Sequence, residues 1–332
     1  MLVLKDRHAL KNLLKTHIPY DIINKKIERG NIMGLKLENV KKTYGEKTVV
    51  DGISLELSKP GVFGLLGTNG AGKTTTIRMI LGILKKDSGE ISWNGNTVDR
   101  KNVNFGYLPE ERGIYPKTKI YDQLEYFAEL KGMKKEDADK EIKKWAEKLK
   151  VEEYLNTPAE KLSKGNQQKV QFITAILHDP ELIVLDEPFS GLDPVNTENL
   201  KDVILELVKN GKYIIMSSHQ MSSIEEFCTE VLILNKGKTV LKGNLKEIKE
   251  GYPANRISLS TKDNVDKYIN ELNLEIYNNK DNDYEIKIQD EKQGYELFNI
   301  LAQNNVKVLR FEIKKPSLND IFIEKVEEEK IK

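Results

Sequence analysis

The stretch from Gly61 to Arg78 constrains this chain more than any other part of it. An apolar run, Val62 to Leu66, reads as a buried strand. A glycine-rich turn comes next, and then an amphipathic segment with Ile77, Ile80, Leu81 and Ile83 at helical spacing. The turn fits Gly-x-x-x-x-Gly-Lys-Thr from Gly67 to Thr74, the loop that cradles phosphate between a strand and a helix. Physical chemistry dictates these residue types. Glycines let backbone N–H groups turn inward with no Cβ in the way, and the new helix offers its positive end to the anion. Lys73 supplies a point charge to the outer phosphates, and the Thr74 hydroxyl is suited to Mg²⁺.

With 332 residues the chain has room for two domains. Hydrophobic residues make up 39% and charged residues 32%, a globular balance rather than a disordered or fibrous one. The longest apolar runs are strand-sized, which predicts no transmembrane helix. The first 30 residues lack the uninterrupted apolar stretch of a secretory signal. A net charge of +1 gives no global attraction for nucleic acid, and no such partner is expected. The single cysteine, Cys228, excludes an internal disulfide framework and any multi-cysteine metal site. It reads as a small apolar filler on a helix, in a reducing cytoplasm.

Residues 1–32 differ in character from the rest of the chain. Leu10, Leu13, Leu14 and Ile18 share a helical face among Lys5, Arg7, Lys11 and Lys15. Such a basic amphipathic segment suits an anionic membrane surface. A short docking helix, or a true start at Met33, are the alternatives. The pattern Leu35–Val40 alternates like an opening strand, and residues 131–150 carry Ile142, Trp145, Ala146 and Leu149 as one buried helical stripe. Glu250–Asn255, with Gly251 and Pro253, punctuates the chain. The C-terminal module reads as a strand at Arg256–Ser260, a helix at 264–272 and a hairpin around Asp281–Asp283. Next come a helix near 292–303 and a strand with Leu309, Phe311 and Ile313 inward. Ser317–Asp320 reads as a capped helix start after Pro316.

Two further constellations carry chemistry. Leu182–Leu185 is an apolar run suited to a strand covered on both faces, and it ends in Asp186-Glu187-Pro188. Carboxylates at such a strand end suit Mg²⁺ and a water to activate: Asp186 to hold the metal, Glu187 to polarise the water. Between this and the first loop lies Leu162-Ser-Lys-Gly-Asn-Gln167, opening an apolar helix. A Ser/Gly turn at a helix start is a second anion-binding surface. It does not easily fold onto phosphates already held by Gly67–Thr74, so it is read as serving the nucleotide of a second copy.

The order of these motifs resembles the ATP-binding cassette (ABC) transporter ATPases over about residues 34–245. The family's phosphate loop is matched by Gly67–Thr74, its signature, imperfectly, by Leu162–Gln167, and its acidic strand end by Leu182–Glu187. Ser190-Gly-Leu-Asp193 corresponds to the dimer-contact loop, His219 to the γ-phosphate-sensing histidine, and Tyr44 to the aromatic stacked on adenine. The implied fold is α/β: a P-loop NTPase of ABC cassette type with a core sheet and helices, an antiparallel β subdomain and a helical subdomain at about 112–180. The cassette is placed at 33–249 and a small C-terminal α+β domain at 253–326. The implied cofactors are ATP and Mg²⁺. Catalytic roles fall to Glu187, His219 and Lys73. Nucleotide contacts fall to Tyr44, Gly67, Thr68, Asn69, Gly70, Ala71, Gly72, Lys73, Thr74, Thr75 and Glu110, and, from a facing copy, to Ser163, Lys164, Gly165, Asn166 and Asp193. Thr74, Glu110 and Asp186 are the expected metal ligands.

Two positions depart from the family. Glu110 stands where a glutamine is usual, and the signature reads Ser-Lys-Gly-Asn where Ser-Gly-Gly-Gln is commoner. Lys164 points either at the facing copy's phosphates or into solvent. Glu110–Pro116 together with Leu162–Gly165 resembles the bacterial sodium- and drug-efflux branch, whose members often have a C-terminal extension. The resemblance thus implies an ATP-hydrolysing subunit, paired with a second cassette (a homodimer) and driving a separate polytopic membrane permease, for export. It would sit in the cytoplasm, peripheral on the inner face of the cell membrane. A soluble ABC ATPase not coupled to transport and a non-hydrolysing ATP-binding regulatory subunit are the alternative readings.

Overall fold

The computed structural model describes residues 34–98, 103–111, 113–219, 221–226 and 228–331. The N-terminal segment 1–32, with its amphipathic reading, lies outside the described residues.

Five apolar strands run parallel because helices connect them: β3 (Gly61–Gly67), β6 (Phe105–Leu108), β7 (Leu182–Asp186), β8 (Tyr213–Ser218) and β9 (Glu230–Asn235). With the antiparallel β10 (Lys238–Asn244), they form a sheet in the order β10-β9-β3-β8-β7-β6. Every residue of β3, β7 and β8 is buried, as expected where both faces are covered. Strand alternation divides them between two cores. Ile183, Leu185, Ile214 and Met216 face one, while Leu182, Val184, Tyr213 and Ile215 face the other.

The second core is closed by an antiparallel sheet, β2-β1-β4-β5, built from β1 (Leu35–Tyr44), β2 (Lys47–Leu57), β4 (Ser88–Trp93) and β5 (Asn96–Thr97). It also takes in helix α1 (Lys73–Ile80). Here the helix is shorter than its periodicity predicts. Leu81 caps it, and Ile83 lies beyond its end, 47% exposed. The first core holds α2 (Ile120–Leu130), α3 (Lys135–Lys148), α4 (Lys164–Ile176) and α5 (Pro194–Lys209). The stripe Ile142, Trp145, Ala146 and Leu149 is buried there as its spacing requires. Gly106 of β6 lets α4 approach closely: a Cβ on it would lie 1.9 Å from the Ala175 carbonyl oxygen. Short helices α6 (Met221–Glu225) and α7 (Leu245–Glu250) complete this part. Cys228 comes after α6 instead of lying on it, and burial pushes its thiol well above the ordinary range.

Beyond α7 the chain builds β11 (Arg256–Thr261), α8 (Asp266–Glu271), β12 (Glu275–Lys280), β13 (Asp283–Lys287), α9 (Glu291–Gln303) and β14 (Val308–Lys314). Their order is βαββαβ and the antiparallel sheet runs β12-β13-β11-β14, the split βαβ arrangement. Asp281 and Asn282 both take positive φ (53° and 66°), which makes the hairpin turn between β12 and β13. Ile257, Leu259, Tyr284, Ile286, Leu297 and Leu301 form a third core. Leu309, expected inward, is 62% exposed. Pairing jumps from Ser260–Arg310 to Thr261–Val308, so Leu309 is the extra residue of a bulge. The last helix, α10 (Leu318–Ile331), starts on a reciprocal cap. Asp320 N–H donates to Ser317 Oγ (3.2 Å), and Ser317 N–H donates to Asp320 Oδ2 (3.0 Å). Leu318 and Phe322 then return to the first core.

Candidate functional site

Because β8 lies between β3 and β7, the loops leaving β3 and β7 emerge at one sheet edge, where open α/β sheets hold ligands. The loop after β3 needs its glycines for two separate reasons. Gly67 and Gly72 have φ of 146° and 104°. In addition, a Cβ on either would sit 2.4 Å from the Leu234 carbonyl oxygen or 2.7 Å from that of Val49. No side chain caps α1, so the amides of its first turn remain available to an anion. Lys73 is 8% exposed and turns back on the loop, donating to Gly67 O (2.8 Å) and Thr68 O (3.2 Å). Burial pulls its ammonium below the ordinary lysine range, opposed by the carboxylates of Glu187, Asp186 and Glu110. Buried lysines are rare unless paired with an anion; this one has carbonyls for partners and an open cleft beside it.

At the end of β7, Asp186 is 1% exposed. It accepts from the Ser217 hydroxyl of β8 and from Thr74 Oγ1 (3.3 Å). Burial raises its carboxyl above the usual range, with those hydroxyls and the Lys73 charge opposing. Glu187, the next residue, has φ 52°, a conformation that non-glycine residues adopt only when their surroundings enforce it. Its N–H donates to Ser217 O (3.1 Å). Its carboxylate accepts from Ser218 Oγ (3.2 Å) and from the backbone N–H of His219 (2.8 Å). The His219 ring Nδ1 lies 2.7 Å from the same Oε1. At that distance from a carboxylate the nitrogen must carry the proton.

Asn69, Gly70, Gly72, Lys73, Thr74, Thr75, Glu110, Asp186 and Glu187 are brought together around a cleft of about 270 Å³, along with Val49. Gly67, Thr68 and Ala71 form the loop beneath it, and His219 connects through Glu187. Tyr44, at the end of β1 and 50% exposed, is not among the lining residues. Ser163, Lys164, Gly165, Asn166 and Asp193 are absent from the lining too. Ser163 Oγ caps α4 by accepting from the Asn166 N–H (3.2 Å), and Gly165 packs on the Gly191–Leu192 loop. Asp193 caps α5, accepting from the Asn196 N–H (2.9 Å), which holds its carboxyl below the usual range.

Sequence reasoning missed Gln168, 3% exposed, whose Nε2 donates to Pro188 O (3.1 Å) and Glu187 O (3.4 Å). Gln168 and Gln171, at i and i+3 on the helix face that also carries apolar residues such as Phe172 and Ala175, were the available signal, since a buried amide must find partners.

The donor set fits Mg²⁺ with a triphosphate. Among the described residues no group of three or more His, Cys, Asp or Glu side chains could hold a metal by itself. Thr74 and Asp186 supply two hard oxygens, and Mg²⁺ characteristically takes few protein ligands, completing its shell with phosphate and water.

A family model described as ABC transporter matches residues 50–190, and one described as ATP-binding protein DrrA1-3-like, C-terminal domain, matches residues 243–326. The uncharacterized ABC transporter ATP-binding protein YhaQ of Bacillus subtilis is 47% identical over 88% of this chain and 98% of its own length. The Nod factor export ATP-binding protein I of Ralstonia nicotianae is 32% identical over 64% of this chain and 68% of its own. The solved structure of an ATP-binding subunit of an ABC transporter matches with a TM-score of 0.61 at 28% identity, covering 66% of this chain and 92% of that one. Phosphate loop, acidic strand end and extension therefore lie in one continuous relationship, and the chain belongs to the ABC transporter ATP-binding proteins.

Proposed function

We propose that this chain hydrolyses ATP as one of two facing cassettes and that the cycle drives a separate membrane permease in export. The observation that carries the reading is the cleft itself. It sets one buried lysine and a glycine-rich helix start opposite Asp186, Glu187 and Glu110. A triphosphate there meets Lys73 and the free amides of α1. The neighbouring carboxylates then call for a divalent cation, with Thr74, Asp186 and Glu110 as its protein oxygens. Bound Mg²⁺ would supply charge neutralisation on the phosphate oxygens.

Glu187 orients and deprotonates the attacking water, and His219 holds that carboxylate in place through two hydrogen bonds. Ser163 and Gly165 stand outside the cleft of their own chain, which favours their use on the nucleotide of a facing copy. Tyr44 remains available to the adenine on an exposed strand end. Shifting such a pair from 1:99 to 99:1 needs about 5.5 kcal/mol of differential binding. Two bridging nucleotides would supply roughly half each.

Among the described residues no helix is long and apolar enough to cross a membrane; in this reading the permease is a separate chain. A likeness to a protein named for Nod factor export supports the outward direction. In this reading residues 33–249 are the cassette, residues 253–326 the accessory domain, and the chain sits on the cytoplasmic face of the membrane.

The test is Glu187→Gln. ATP hydrolysis should fall by about 100-fold or more, while ATP produces a lasting dimer by light scattering. A variant that stays monomeric with ATP, under conditions where the parent dimerises, overturns the facing-cassette reading.

A further inference from the structure

The helix that begins at the signature also reaches the loop of Glu110. Gln171 of α4 is 4% exposed. Its Nε2 donates to Glu111 O (3.0 Å) and Pro109 O (3.3 Å), the carbonyls on either side of Glu110. Both amide protons are thereby used, one on each flank. Its Oε1 is buried without a hydrogen-bond partner. Leaving an acceptor unpaired opposes folding, so hydrophobic packing alone does not account for a glutamine here. Glu110 and Glu111 are themselves exposed and have left the sheet at Leu108. One turn earlier, Gln168 makes the matching connection to Glu187 and Pro188. Two amides on one helix face thus grip the backbones of the two loops that carry cleft carboxylates.

We propose that Gln171 is a positioning residue for Glu110: it fixes the loop that presents this carboxylate to the cleft, and it makes that loop move with α4. The inference rests on the metal-binding role given to Glu110 above. Its consequence is a mechanical link. In a facing pair the start of α4 lies against the partner's nucleotide, so a displacement felt at Ser163–Gly165 is passed to Glu110 of the same chain's own site. The coupling element is a rigid helix of about four turns with a double hydrogen bond near its middle.

The experiment uses the full chain carrying Gln171→Met, similar in length with no donor, and Gln171→Glu, which keeps the polarity and loses both donor protons. Cleavage of the nucleotide-free protein after Glu110 and Glu111 by a glutamate-specific protease is read, together with the Mg²⁺ concentration for half-maximal ATP hydrolysis. Both variants should be cut there at least tenfold faster, and should need about tenfold more Mg²⁺. Cleavage within twofold of the parent in either variant overturns the tether. Faster cleavage with an unchanged Mg²⁺ requirement overturns the positioning of Glu110. Should Gln171→Met fail to fold, Gln171→Glu decides by the same readings. A parent chain without Mg²⁺-dependent hydrolysis would defeat the proposed function instead, and the cleavage measurement would still judge the tether.

Discussion

Glu110 and Asp186 meet at the same cleft under opposite conditions, one exposed and one almost wholly buried. An exposed carboxylate at the mouth can be exchanged for an amide of the same shape without leaving a buried group unpaired. Glu110→Gln should therefore keep hydrolysis within about tenfold of the parent, with Mg²⁺ still required. A near-complete loss in a phosphate-release assay would assign Glu110 a role that an amide cannot fill. Asp186 obeys a different balance. Its folded-state pKa is raised by burial, so its charge opposes folding at any pH above that value and is harmless below the unfolded one. Asp186→Asn should raise the melting temperature of the nucleotide-free protein, more at pH 7 than near pH 4, while abolishing Mg²⁺-dependent hydrolysis. A variant melting below the parent at pH 7 would mean that the hydroxyl contacts outweigh the buried charge. Lys73, Thr74, Asp186 and Glu187 were legible because their chemistry is declared by near neighbours in the chain. Gln168 was not, because its partners lie 19 and 20 positions away.

At the scale of elements, the junction of α4 with β6 sets a pH limit. His178 lies just past α4, and its Nε2 faces the Phe105 carbonyl of β6 (3.2 Å) while Nδ1 is buried without a partner. Burial, aided by the Lys131 charge, lowers its pKa to about 4. Below pH 6.5 the unfolded chain takes up a proton that the folded one refuses, so stability falls as pH drops from 6.5 through 4. The loss should be on the order of 2 kcal/mol, discounted from the full shift because the ring is partly in contact with solvent. Chemical denaturation of His178→Gln across that range should show a shallower dependence; an identical slope in both proteins would remove His178 as its source. Local pattern predicted these elements well where one face is buried, as in the Ile142–Leu149 stripe. It failed at Ile83 and Leu309, where a cap and a bulge interrupt the period. Periodicity carries no information about where hydrogen bonding stops.

Across the whole molecule, the chain does not end where its third core ends. α10 leaves the split βαβ unit and packs on α6 and β10, burying Leu318 completely and Phe322 almost so. Glu225 of α6 accepts from the Leu318 N–H (3.3 Å) and pairs with Lys249 of α7. Removing residues 253–332 should therefore destabilise what remains by about 3–6 kcal/mol, the worth of two buried side chains. Thermal unfolding of the shortened chain at or near the parent temperature would show that the return helix contributes little. The sequence alone determined the phosphate loop, the acidic strand end, the buried strands and the cap at Ser317, because each is specified within a few residues by backbone freedom, charge or side-chain period. Only the tertiary structure decided that Glu187 is held by His219, that two glutamines of α4 grip separate loops, and that the final helix belongs to the first core. Those contacts join positions distant in the chain, and their energies exist only once the sheet has brought the strand ends to one edge.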